Sequence, residues 1–131
     1  MNMRISIIAL RLVVRVLGTL LIVLGLLFWS GNAFALLPLH MLAGILLVLA
    51  LWSLAIVGAR SGEQPALVGI SLLWGIIVPI LGMTQDQLLP GEAHWMIKAL
   101  HLLVGVIAIS LGEVLARRGL TRVPERQLQA V

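Results

Sequence analysis

Four long apolar runs separated by three short polar breaks make up most of the chain. They read from about residue 5 to 29, 36 to 58, 65 to 83 and 93 to 116, with a polar tail over 117–131. Each is near the roughly 20 residues that a helix needs to cross hydrocarbon. The uncharged part of the first run, Val16 to Trp29, is too short by itself, so its helix must extend back past Arg15 and Arg11. Ser30-Gly31-Asn32 and Arg60-Ser61-Gly62-Glu63 supply tight breaks, and residues 84–92 form the longest loop. Pro38 and Pro65 fall in first helical turns, where a missing N–H costs nothing. Pro79 lies inside the third run and predicts a kink near its end. Arg117-Arg118-Gly119 is expected to close the fourth helix, with the tail helical at first and then frayed. The pattern predicts an all-α integral membrane four-helix bundle, a single transmembrane domain over 1–131.

Composition agrees. Of 131 residues 61% are hydrophobic and 11% charged, which places the chain outside the soluble classes. There are no cysteines, which excludes disulfides, thiolate metal sites and covalent c-type haem attachment. The first run lacks a small-residue cleavage site and is expected to stay as a helix. The excess of base lies beside the spans and is a topology signal; it does not point to nucleic acid. Arg4, Arg11, Arg15, Arg60, Arg117, Arg118, Arg122 and Arg126 all fall on one side of a four-span layout, and only Lys98 is elsewhere. The positive-inside rule then puts both termini in the cytoplasm, with Trp29 and Trp95 at the outer interface. Arg4, Arg11 and Arg15 are expected to snorkel to anionic headgroups.

Candidate chemistry centres on two histidines inside apolar runs, where an ionisable group is costly and by default marks function. His40-Met41-Leu42-Ala43-Gly44-Ile45 reads against His101-Leu102-Leu103-Val104-Gly105-Val106. A weaker echo pairs Leu24-Gly25-Leu26-Leu27 with Trp74-Gly75-Ile76-Ile77. Together they predict two parallel-repeat helical hairpins related by an axis along the membrane normal, with His40 and His101 opposed at similar depth. Counting back from Arg60 and Arg117 leaves the two histidines offset by about 6 Å of helix. A second helix ending near Gly58, or a greater tilt, would remove that offset.

On the fourth helix His94, Lys98, His101, Gly105, Ala108 and Gly112 share one face, polar in its outer half and small in its inner half. Gly44 and Gly105, one turn from each histidine, remove a side chain where a flat macrocycle would lie. Two neutral imidazoles with small residues beside them and apolar walls are what a b-type haem requires. His40 and His101 are thus the candidate metal ligands, with Gly44, Gly105 and Lys98 in the cofactor site. Lys98 stands where a propionate would be; the plain alternative is an ammonium that snorkels to the surface. His94 reads as an interfacial residue. Glu113 lies one turn before Arg117, and a helix-end ion pair is expected there. Gly18, Gly25, Gly69, Gly75 and Gly82 read as packing contacts. Trp52 and Trp74 read as core fillers, although either could flank a ring.

His40-x-x-x-Gly44, His101-x-x-x-Gly105 and the four-span layout resemble the small four-helix membrane cytochromes b of bacteria. The resemblance covers the architecture of most of the chain and about ten residues of motif. It implies a multi-pass protein of the bacterial inner membrane that transfers electrons, often with quinol or to a redox partner protein. Two haems would need four ligands, and the chain has three histidines, so one haem b is expected.

Other readings stay open. A transmembrane histidine also serves as an interhelical hydrogen-bonding residue, which would make the chain a cofactor-free subunit or scaffold of an oligomer or larger complex. Zinc on His40, His94 and His101 is a further option. A small exporter would need a buried acid in the first helix, which has none. No nucleophile–base pair, carboxylate dyad or phosphate-cradling glycine loop is present; the enzymatic role that the resemblance implies is that of a quinol-linked oxidoreductase.

Overall fold

The computed structural model describes residues 2–122. They form four α-helices: α1 (Met3–Trp29), α2 (Leu37–Arg60), α3 (Pro65–Thr84) and α4 (His94–Arg122). Single 3-10 turns at Phe34–Leu36 and Gln85–Gln87 lead into α2 and out of α3. All four helices are long and apolar enough to cross a membrane. Large apolar side chains lie exposed along them, including Leu12, Val16, Ile45, Leu73, Ile80 and Leu103, the outer surface expected of helices facing lipid.

The turns follow local chemistry. Asn2 caps α1 by accepting the Arg4 N–H at 3.2 Å. Pro38 and Pro65 occupy the first turns of their helices, and α3 runs through Pro79 to Thr84. After α2, Gly62 takes φ +77° and the Glu63 N–H bonds the Gly58 carbonyl at 2.9 Å. This is the six-to-one closure that favours a left-handed glycine.

Within the bundle α2 and α4 each touch the other three helices, and α1 and α3 flank them. Since α2 and α4 both start at the same end, this central pair runs parallel. The core is Leu47, Leu51, Leu54 and Ala55 of α2 against Val104, Ala108, Leu115 and Ala116 of α4, with Ile7, Val14 and Val78 closing the sides. Glycine sets how closely α1 approaches α4. A Cβ on Gly18 would stand 2.8 Å from Ile109, one on Gly112 3.1 Å from Val14, and one on Gly119 3.1 Å from Ile7. Small residues are how apolar helices gain contact in lipid, where water supplies no drive to associate. These pairs also place the start of α1 and the end of α4 at one end of the bundle.

Indole N–H groups bind the helices further. Trp52 donates to the Leu72 carbonyl at 3.1 Å and Trp74 to that of Val104 at 2.9 Å. Trp52 lies so close over Gly75 that a Cβ there would come within 3.0 Å of three indole atoms. Gly75 is therefore committed to Trp52.

Two expectations about charge are corrected. Arg117-Arg118-Gly119 does not close the fourth helix, which continues to Arg122, so that the first residues of the tail are helical as expected. Arg118 and Arg122 both reach the Glu63 carboxylate, which is 1% exposed, so the extra turns bring its counter-charges. The rest of the tail, 123–131, lies outside the described residues. Glu113 pairs across the bundle and not along its own helix. It accepts from Arg11 Nε at 3.0 Å and from Arg15 Nε at 2.6 Å. Arg11 and Arg15 are thus engaged with Glu113, where snorkelling had been expected. A carboxylate within an apolar span needs a counter-charge at its own depth, and Arg117 sits one turn too far towards the helix end.

The hydrogen bond from Arg122 is the main reason that the Glu63 carboxyl is held down, to about 2 from its ordinary 4.5, with the Gln64 N–H and Arg118 adding to it against the cost of burial. A carboxyl depressed by folding stabilises the fold fully above its free value and loses that contribution as pH falls through the folded one. Glu63→Gln is expected to lower stability at neutral pH by about 1–3 kcal/mol. The gap from wild type should close as the pH approaches 2. Thermal unfolding in detergent, followed by circular dichroism over a pH series, measures both.

Candidate functional site

Two short segments near one end of the bundle hold the histidines. His40 sits in the first turn of α2 and His101 two turns into α4. Because these two helices run parallel and touch, one level serves both side chains. The imidazole centroids are 6.3 Å apart, with the rings tilted at 51°. The helix that carries His40 runs on to Arg60, so an early end at Gly58 is not what brings the rings level.

Each ring leans on the helix that precedes its own. A Cβ on Gly25 of α1 would lie 3.9 Å from His40 Cε1, and one on Gly82 of α3 3.1 Å from His101 Cε1. Phe28 meets His40 edge-on, with centroids 5.4 Å apart, and stacks on Phe34. In this apolar setting the Nδ1 atoms of His40 and His101 are buried without a hydrogen-bond partner. Such a group costs about 1–3 kcal/mol unless something takes its lone pair or proton.

The other residues expected here sort into three kinds. Gly44 and Gly105 lie one turn beyond the histidines on the same helix faces and are half-buried. A Cβ on either would meet nothing within 4 Å, so the space beside the pair is open there. Lys98 is half-buried, one turn from His101 towards the helix start, and no hydrogen bond or ion pair engages it among the described residues. His94 is apart from the pair. Its Nδ1 lies 3.2 Å from the Leu88 carbonyl and its Nε2 3.9 Å from Asp86, which ties the start of α4 to the preceding loop. Among the described residues no group of three His, Asp or Glu is placed to hold a metal ion, so the three histidines do not assemble as a zinc site.

Gly25, Gly82 and Phe28 were not singled out as neighbours of the histidines. For Gly25 a signal existed, since it and His40 stand at nearly equal distances from the break between their helices. The loop after α3 hides the same relation for Gly82 and His101. The echo that pairs Gly25 with Gly75 does not hold in space: Gly82, and not Gly75, faces the second histidine. Of the clefts among the described residues, two open away from the histidines. One, of about 610 Å³, is lined by apolar residues of α1 and α2 such as Val13 and Leu49. The other, of about 290 Å³, lies between α1 and α4.

No family model, curated protein or solved structure matches the chain.

Gly82 is expected to be intolerant where Gly105 is not. Gly82→Val should cost about 1–3 kcal/mol by driving His101 and its neighbours apart. Gly105→Val should cost less than about 0.5 kcal/mol. Thermal unfolding of the two variants side by side tests the assignment, and equal losses would count against it.

Proposed function

We propose that the chain is a membrane b-type cytochrome that holds one haem b between His40 and His101 and passes single electrons near the outer face. The observation that carries this reading is the spacing of the pair. Two imidazoles that would hold one iron between them have to come from different helices and lie close together at one level. The ring centroids of His40 and His101 are 6.3 Å apart in the structure. Each ring also brings one buried nitrogen without a partner, and Gly44 and Gly105 leave the space beside the pair clear. His40 and His101 would hold the iron, and Phe28 would wall the site. Lys98 would meet a propionate, because an unpaired buried carboxylate is costly. Haem supplies reversible one-electron transfer; quinol or a redox protein is the partner class we infer.

The bias of basic residues supports cytoplasmic termini in a bacterial inner membrane, and the matched His–Gly contacts within each hairpin support a parallel repeat. A second reading starts from the same distance and adds the neighbouring phenylalanines. A centroid distance of 6.3 Å also lies within the 4.5–7 Å of an aromatic pair, and Phe28 and Phe34 continue the cluster. In that reading the pair fastens α2 to α4 in a cofactor-free subunit.

Absorbance spectra of purified protein, oxidised and then dithionite-reduced after haem-replete expression, separate the two. Sharp α and β bands are expected, lost in His40→Ala and in His101→Ala and retained in His94→Ala. A colourless wild-type protein would leave the aromatic contact as the answer. Lys98→Met should keep low-spin haem, weaken its retention and lower the reduction potential by on the order of tens of mV, since a cation near the iron favours the reduced form. Redox titration measures it. For sidedness, Glu92→Cys and Gln64→Cys, each in an exposed turn, should label from opposite faces of the membrane, Glu92→Cys from outside.

A further inference from the structure

The cleft between α1 and α4 lies at the far end of the bundle from the histidines and is lined by Arg11, Ile109, Ser110, Glu113, Val114 and Arg117. Its charges are not balanced. The Glu113 carboxylate already accepts from both Arg11 and Arg15, so one negative charge answers two guanidinium groups. Arg117 adds a third, is exposed, and makes no hydrogen bond or ion pair among the described residues. Of the rest of the wall, Ile109 and Val114 are apolar, and the Ser110 hydroxyl donates to the Val106 carbonyl of its own helix.

Depth gives this arrangement a meaning. The midpoint of α4 falls near Ala108, so Arg117 lies about 14 Å along the axis from it, close to the edge of a hydrocarbon core roughly 30 Å thick. That is where phosphate groups of membrane lipids begin. Glu113 and the apolar residues lie deeper, at acyl-chain level. A cleft with a cation at its mouth and aliphatic walls inward matches the two parts of a phospholipid. Glu113 would repel an anion if it were free, but its two arginine partners leave the cleft net positive.

We propose that the α1–α4 cleft binds the phosphate of an anionic membrane phospholipid, with Arg117 as the principal contact, Arg11 as the second cation and an acyl chain along Ile109 and Val114. Basic pockets between transmembrane helices recognise lipid headgroups in this way, and a guanidinium suits a phosphate because it offers a planar fork of donors.

The full-length protein in detergent, titrated with phosphatidylglycerol, phosphatidylethanolamine or inorganic phosphate and read by native mass spectrometry, tests this. Phosphatidylglycerol should bind more tightly than phosphatidylethanolamine. Arg117→Gln should weaken that binding about five- to tenfold, as expected for one interfacial cation, and Arg117→Lys should restore most of it. Arg60→Gln, an exposed base in the last turn of α2, should change it by less than about twofold. Equal losses in the Arg60 and Arg117 variants would show a diffuse basic surface and overturn the site. No preference for phosphatidylglycerol would overturn it too. Displacement of the lipid by millimolar inorganic phosphate would make the ligand a soluble phosphate and overturn the assignment to lipid.

Discussion

Hydrocarbon offers no hydrogen bonds, so every polar group that the four helices carry into it has to find its partner on the protein. The backbone does this by being helical. Ser53, Ser71 and Ser110 do it on carbonyls of their own helices, while the carboxylates, their arginines and two indoles do it across the bundle, and those cross-links define which helix meets which. Glu113 of α4 takes Arg11 and Arg15 of α1. Glu63 in the turn after α2 takes Arg118 and Arg122 of α4. The two indoles reach carbonyls on the next helix. Against that background, among the described residues, the buried Nδ1 atoms of His40 and His101 are left without partners.

Breaking these pairs would cost more than forming them contributes. Two charges taken out of water gain little net stability when joined, whereas one left alone in a low dielectric is severely penalised. The carboxylates therefore act mainly as selectors. A packing of the helices that separated Glu113 from α1 would strand three charges in lipid, and the apolar surfaces by themselves, nearly all Leu, Ile, Val and Ala, discriminate poorly among alternative packings.

Much of this was legible in the chain. Four runs of spanning length give four helices, and the matched segments at His40 and His101 do face each other. What was not legible depended on partners distant in sequence. Arg117-Arg118-Gly119 reads as a helix stop because hydropathy falls there. A helix ends where its hydrogen-bonding ends, however, and Glu63 gives the next turns a reason to persist. Glu113 and Arg117 have the spacing of a local ion pair, yet two arginines on another helix lie at the depth where the carboxylate needs them. Gly44 and Gly105 drew attention because they share the histidines' faces. The glycines that touch the rings, Gly25 and Gly82, are on other helices, where only the loop lengths encode the match.

The long fourth helix carries groups that must point in three directions. At 3.6 residues per turn each step rotates a side chain by about 100°. Glu113 follows His101 by twelve residues, which sets it about 120° around the axis. Arg118 and Arg122 fall on the opposite flank, about 60–100° the other way. One angle addresses α1, one α2, and one the turn between α2 and α3. The helix is in this sense keyed: its rotational phase is locked at one end by ion pairs, and the orientation of His101 several turns away is inherited from that lock. A single residue inserted between Gly105 and Gly112 would leave length and hydropathy almost untouched. It would nonetheless turn the imidazole about 100° away from its partner, or force the charges at the other end out of register.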